Sequence, residues 1–284
     1  MKLIIRYMKL SGLILISLFL FVKVPAQNFR ETLKFAENQF NSGDLSTSLK
    51  TYQRALFFSE GEDNLYIFRQ LAMISYIKED FEGAQEYYGL AYNQAENDSL
   101  RDELLFLKAT CQIINRQYQF AIIDLLSVND SALSVKRRLN FYLGVCYFGL
   151  EDFTNAKSCF KYCVNDHDKQ ELEKLFSGRK LSSPSPNAAR ILSMIIPGSG
   201  QVYSGDMKAG VNSLLLTSGL IALGINISVK YQLIDAIATV LPWYQRYYMG
   251  GIGKAEEIAV SRRQARRNET YVAVLKLVEG SMKK

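Results

Sequence analysis

Between residues 35 and 164, small and bulky apolar positions recur in a fixed order, separated by polar residues at helical spacing. Four segments share that order: FAENQFNSGDLSTSLKTYQRAL (35–56), LAMISYIKEDFEGAQEYYGLAY (71–92), KATCQIINRQYQFAIIDLLSVN (108–129) and LGVCYFGLEDFTNAKSCFKYCV (143–164). Each has an early small residue, Ala36, Ala72, Ala109 or Gly144, and a second one twelve positions later, Ser48, Ala84, Ala121 or Ala156. A bulky residue follows (Tyr52, Tyr88, Leu125, Phe160), then Ala55, Ala91, Val128 or Cys163. A polar dipeptide divides each segment: Gly43-Asp44, Glu79-Asp80, Arg116-Gln117 and Glu151-Asp152. The pattern predicts four antiparallel helix pairs. Small side chains let two helices approach closely, and bulky ones fill the ends of the contact.

The pattern changes after residue 165. NDHDKQELEKLF reads as a polar helix that caps the array, and SGRKLSSPSPN as a linker rich in Ser and Pro. Residues 188–210 carry AARILSMIIPGSGQVYSGDMKAG, in which glycines and a proline break the helical period between two apolar stretches. Residues 209–229 hold no charge and approach the ~20 residues a helix needs to span a bilayer. A second stretch, LIDAIATVLPWYQRYYMGG (233–251), contains Asp235, Pro242 and Arg246, each costly in hydrocarbon, beside an interfacial-type cluster of Trp243, Tyr244, Tyr247 and Tyr248. It either spans as half of a hairpin or lies at the surface. The basic segment KAEEIAVSRRQARRN (254–268) follows it.

The four segments resemble the tetratricopeptide repeat family over residues 29–165, with small-residue spacings of 36, 37 and 35 against the family's 34. The second copy carries Phe68, Leu71, Ala72, Tyr76, Ala84, Tyr88 and Ala91 where the family pattern wants them. The third departs most, with Lys108 where Leu is usual and no Gly or Asp in its turn. The resemblance implies an all-α, right-handed helical solenoid whose first helices line a protein-binding groove. On this chain the groove positions are Leu33, Glu37 and Phe40; Tyr66, Arg69, Met73 and Tyr76; Glu103, Phe106 and Thr110; and Arg138, Phe141 and Phe148. Aromatic anchors with Arg among them suit a partner surface, while aromatics at this spacing also serve to pack repeats together. The later motif, Pro197, Gly198, Gly200, Gln201, Tyr203 and Gly205, is similar to small bacterial two-helix membrane domains of unknown function with a PGxGQxYxG signature. That likeness implies a membrane-associated helical hairpin and carries no assigned chemistry.

Charge is segregated in the same places. Residues 1–26 hold four basic residues and no acid, residues 27–180 hold 18 basic and 22 acidic, and residues 181–284 hold 12 basic and 6 acidic. The basic N-terminus, the apolar stretch from Leu10 to Val22 and Val24-Pro25-Ala26 form a signal-peptide pattern. An uncleaved anchor, and an alternative start at Met8, also fit. The division expected is a signal over 1–26, repeats over 27–165, a capping helix and linker over 166–189, and a membrane-associated domain with a basic tail over 190–284. Partners expected are a protein in the groove and anionic lipid beside the basic tail, with no nucleic acid and no small-molecule substrate.

Catalysis finds little support. His167 is the only histidine, and Cys159, Cys163 and His167 share a face only if one helix runs through them; no fourth zinc ligand stands nearby. A phosphate loop is excluded because no GxxxxGK[ST] is present. The expectation is a non-enzymatic, exported, membrane-tethered scaffold of a bacterial envelope with periplasmic repeats, without metal or cofactor. The alternative is a transport or lipid-handling component in which the hairpin acts and the repeats regulate it. Orientation is left open, because export and a returning hairpin would place Arg262, Arg263, Arg266 and Arg267 outside, against the positive-inside tendency.

Overall fold

The structure is a computed structural model and describes residues 28–59, 61, 63–129, 132–177 and 181–282. The expected signal peptide lies outside the described residues. All regular structure among them is helical, in stacked helix pairs. The described residues fall into two compact units divided between Leu150 and Glu151.

The first unit contains α1 (Phe29–Asn41), α2 (Leu45–Phe58), α3 (Asn64–Ile77), α4 (Phe81–Gln94), α5 (Asp98–Ile114), α6 (Tyr118–Leu125) and α7 (Leu133–Gly149). Helices α1/α2, α3/α4 and α5/α6 pair, and each pair packs on the helix that follows it. The small positions are where the pairs meet: Ala36, Ser48, Ala72, Ala84, Ala109 and Ala121 are fully buried. Ser48 Oγ also donates to the Ala36 carbonyl at 2.9 Å, which ties the two small positions of the first pair directly. Tyr52, Tyr88 and Leu125 fill the core beside them.

The turns repeat in geometry as well as in sequence. Gly43, Glu79 and Arg116 all adopt positive φ, at 83°, 61° and 59°. The next residue's N–H then reaches back five positions, from Asp44 to Gln39 O (3.0 Å), Asp80 to Ser75 O (2.9 Å) and Gln117 to Gln112 O (2.7 Å), satisfying carbonyls that the helix end leaves bare. Asp44 and Asp80 cap the second helix by accepting from the Thr47 and Gly83 N–H groups. Gln117 makes no such bond, and α6 is correspondingly only 8 residues long.

The second unit contains α8 (Phe153–Cys163), a 3-10 turn (Asp166–Asp168), α9 (Lys169–Phe176), α10 (Pro186–Ile195), α11 (Ser199–Tyr203), α12 (Met207–Lys230) and α13 (Leu233–Met282). The unit boundary therefore assigns the two helices of the fourth segment, α7 and α8, to different units. Its second turn begins as the others do, with Glu151 at φ 64° and Asp152 capping α8 through the Asn155 N–H.

Helix α13 runs unbroken for 50 residues, where the sequence pattern suggested two segments. Pro242 removes one backbone donor, to Ala238, yet the chain stays helical where α12 packs along this half. Helices α10 and α11 pack on its middle, and α8 and α9 on its far end, where Asn165 Nδ2 donates to the Ser281 carbonyl at 3.2 Å. Ala189 of α10 meets Ala255 and Ala259 of α13 at a contact that larger side chains would hold apart.

Candidate functional site

Three surfaces bear on function, beginning with the predicted groove face. Tyr66 and Tyr76 are exposed, as are Arg69 and Met73. The Tyr66 hydroxyl donates to Glu37 Oε1 at 2.8 Å, joining two groove positions from successive pairs. Burial and this bond hold the Tyr66 phenol above its ordinary pKa, so it stays a neutral donor. Further along, Arg138 of α7 grips Glu103 of α5 with Nη1 at 2.5 Å and Nη2 at 3.2 Å. Its guanidinium also lies 4.1 Å from the Phe106 ring centre. Phe106 is 2% exposed, so this expected anchor is a core residue beneath an ion pair and offers a partner no surface. Thr110 reaches the Tyr142 hydroxyl at 3.4 Å, and Phe141 and Phe148 are half-buried. The face is thus exposed at its α3 positions, while Leu33 and Phe40 of α1 pack half-buried on the core and Arg138 closes over the α5–α7 end.

The second feature is the motif at residues 197–205. Gly198 adopts φ 92°, and a Cβ there would sit 2.1 Å from the Gly210 carbonyl. A Cβ on Gly200 would lie 1.9 Å from the Ala189 carbonyl, so both glycines are required by close backbone approach. Gln201 is 1% exposed and links three helices: Oε1 accepts from Ser193 Oγ of α10 at 2.9 Å, and Nε2 donates to the Gly251 carbonyl of α13 at 2.8 Å. The Tyr203 hydroxyl accepts from the Ser185 N–H at 3.2 Å, Gly205 turns the chain at φ 90°, and Pro197 precedes the turn. These residues form a joint where α10 to α13 converge.

Beyond that joint the hairpin of α12 and the first half of α13 exposes apolar side chains around its circumference. Leu215, Ile225 and Val229 on α12, and Ile234, Leu241 and Trp243 on α13, are each more than half exposed. Helix α12, at 24 residues, is long and apolar enough to cross a membrane. Asp235 accepts from the Gln232 N–H at 3.2 Å and so stabilises the turn into α13, a role the sequence reading did not assign to it. The basic run is partly used by the fold. Arg267 is 7% exposed, donates to the Leu181 carbonyl at 2.9 Å, pairs with Glu151 and lies over the Phe153 ring at 5.3 Å. Arg266 donates to the Ser183 carbonyl at 3.3 Å.

The residues weighed for chemistry do not assemble. Helix α8 ends at Cys163, His167 sits exposed in the 3-10 turn beside Asp168, and no metal-competent group of His, Cys, Asp and Glu occurs among the described residues. Burial pushes the Cys111 and Cys159 thiols up to about 11, which leaves little thiolate at neutral pH.

The fold and these surfaces define a class: an all-helical protein of stacked helix pairs that carries one helix of membrane-spanning length and apolarity. No protein family, curated protein or solved structure matches the chain.

Proposed function

We propose that the chain is an exported, membrane-tethered adaptor of the bacterial envelope. In this reading the helix pairs are tetratricopeptide-like repeats that hold a protein partner, and the α12–α13 hairpin is the anchor. The observation that carries the reading is the exposed apolar band of the hairpin and the charges at its two ends. Lys208 and Lys254 stand at one end, Lys230 and Asp235 at the other. At 1.5 Å per residue the intervals 208–230 and 235–254 measure about 33 and about 28 Å, the thickness of a hydrocarbon core. Such a band in water would be a large exposed apolar patch of the kind soluble monomers avoid.

One residue interrupts it. The approach of Ser213 to Gly251 and of Val240 to Gly224 sets Arg246 level with Ser218, near the middle of α12. A cation there costs about 3 kcal/mol, a cost the surrounding apolar side chains offset. The lipid-handling alternative draws on an apolar groove of about 320 Å³ between the hairpin's arms, lined by Ile221, Gly224, Ile237 and Tyr244 among others.

The test uses the full chain expressed in bacterial cells. Wild type is expected to remain with membranes through an alkaline wash, and Leu215→Arg with Leu223→Arg to be released while remaining helical. Release of the wild type would overturn the anchor. For the partner half, Tyr66→Ala, Arg69→Ala and Phe141→Ala together should remove crosslinked partners. An unchanged crosslinking pattern would overturn the groove.

A further inference from the structure

Arg246 is exposed, stands level with the middle of α12, and makes no hydrogen bond, ion pair or ring contact among the described residues. The apolar arms offset the cost of inserting it but supply no counter-ion. Val240 and Gly251 face α12, and at 3.6 residues per turn Arg246 is rotated about 120° from the first and about 140° from the second. It therefore points away from the other arm. Five further exposed residues lie within about 40° of it on the same helix: Asp235, Thr239, Pro242, Gly250 and Gly253. None of them is a large apolar side chain, whereas α12 exposes Leu215, Leu223 and Val229. A Cβ on Gly250 or Gly253 would meet nothing within 4 Å, so the space beside them is open. Lipid tails suit a face built as that of α12 is. This face of α13 has the small and polar composition of a contact between membrane helices.

We infer that this face of α13 binds a membrane-spanning helix of a partner protein that carries an aspartate or glutamate near mid-bilayer. The inference rests on the anchor half of the adaptor reading. Depth and charge select the occupant. Arg246 stands about 12 Å along the helix from Lys254 and about 17 Å from Asp235, farther from either end of the apolar band than its own side chain reaches by snorkelling. A lipid phosphate at its ordinary depth is thus out of range. A second copy inserted the same way would set Arg246 beside Arg246 and leave each Asp235 at the edge of the band, so like charges would meet. A carboxylate at the depth of Arg246 supplies the missing opposite charge and accepts two parallel hydrogen bonds from the guanidinium, in a medium where both count most. A neutral amide there would leave the cation uncompensated. Gly250 and Gly253, one and two turns from Arg246, let the partner's backbone come close.

The experiment places full-length protein in phosphatidylcholine vesicles with a tryptophan-free, Lys-flanked leucine–alanine helix that bears one central Asp and a dansyl group at one end. Energy transfer from Trp243, the only tryptophan and three residues from Arg246, reports association. The expected result is saturable transfer to the Asp helix and at least tenfold weaker association with a helix bearing Asn in its place. Arg246→Leu, which removes a cost of insertion and so is compatible with folding, should abolish that preference, and Arg246→Lys should keep part of it. Arg262→Leu, beyond the apolar band, should leave it unchanged. Equal transfer to the two helices, no saturable transfer to the Asp helix, or a preference retained in Arg246→Leu would each overturn the inference. So would a preference abolished by added phosphatidylglycerol, which would give Arg246 to a lipid phosphate. Flotation separates the two failures: vesicles that carry the wild type without discriminating the helices leave the anchor standing, whereas wild type released from them fails the anchor and the inference together.

Discussion

Gln201 offers a direct measure of what holds the α10–α13 joint together. Gln201→Met keeps the side-chain volume and removes both of its hydrogen bonds. The Gly251 carbonyl keeps its partner within α13, so its loss is small. The Ser193 hydroxyl loses its acceptor in a site that is almost fully closed, while still accepting from the Gly200 N–H at 3.1 Å. One buried hydroxyl left bare, with one further bond lost, puts the cost at about 2–3 kcal/mol. Ser193→Ala strikes the same bond from the other side. The double variant should then be more stable than the two single losses predict, with a coupling of about 1 kcal/mol. The assay is denaturant unfolding of the full chain in micelles, followed by the fluorescence of Trp243, the only tryptophan, which lies in α13. Additivity within about 0.3 kcal/mol would show that Ser193 and Gln201 do not act as a pair, and the account of the joint would fail.

Two further predictions test other contacts. Arg267→Met removes the donor to Leu181 and the partner of Glu151, and should destabilise the second unit by about 2 kcal/mol, discounted for the exposure of Glu151. Arg262→Met, on the exposed side of the same helix, should stay within about 0.5 kcal/mol in the same unfolding assay, and equal effects would refute the distinction. Hydrogen bonds from Thr47, side chain first and backbone second, hold the Asp44 carboxyl below its ordinary value of 3.8. Its folded pKa is thus below its unfolded one, so its stabilisation is complete above the unfolded value and is lost as pH falls through the folded value. Asn at position 44 can cap α2 without titrating, so Asp44→Asn should show a shallower fall in unfolding midpoint below about pH 4, and identical acid profiles would refute this linkage.

The helix pairs of the first unit were legible because their signal is local and repeated. Ala36, Ala72 and Ala109 mark close approach, and Tyr52 and Tyr88 mark the space beside it, so four imperfect copies in phase outweighed the departures of the third. The burial of Phe106 was not legible. Its period is that of a groove residue, and it is covered by the long-range pairing of Arg138 with Glu103, 35 positions apart, and by the Tyr142 ring 5.4 Å away. Glu79 and Arg116 in left-handed backbone were also hidden, since nothing in those residue types asks for positive φ; the turn imposes it. The sequence pattern divides α13 into a stretch over 233–251 and a basic segment over 254–268, with Gly250, Gly251 and Gly253, residues that punctuate isolated helices, at the division. Packing against α12 and α10 overrides that preference. The motif at 197–205 was found by its spacing, but Gln201 as a buried link required knowing that residues 193 and 251 converge on it.

An uninterrupted α13 has a mechanical consequence. Fifty residues at 1.5 Å each make a rod about 75 Å long, with roughly 45 Å lying beyond the apolar half. A rod with no hinge works as a lever: rocking the apolar end by 10° would sweep the opposite tip through about 8 Å, several times the play of a packed side chain. Inserting a flexible glycine tract between Lys254 and Arg262 would uncouple the two halves of that rod.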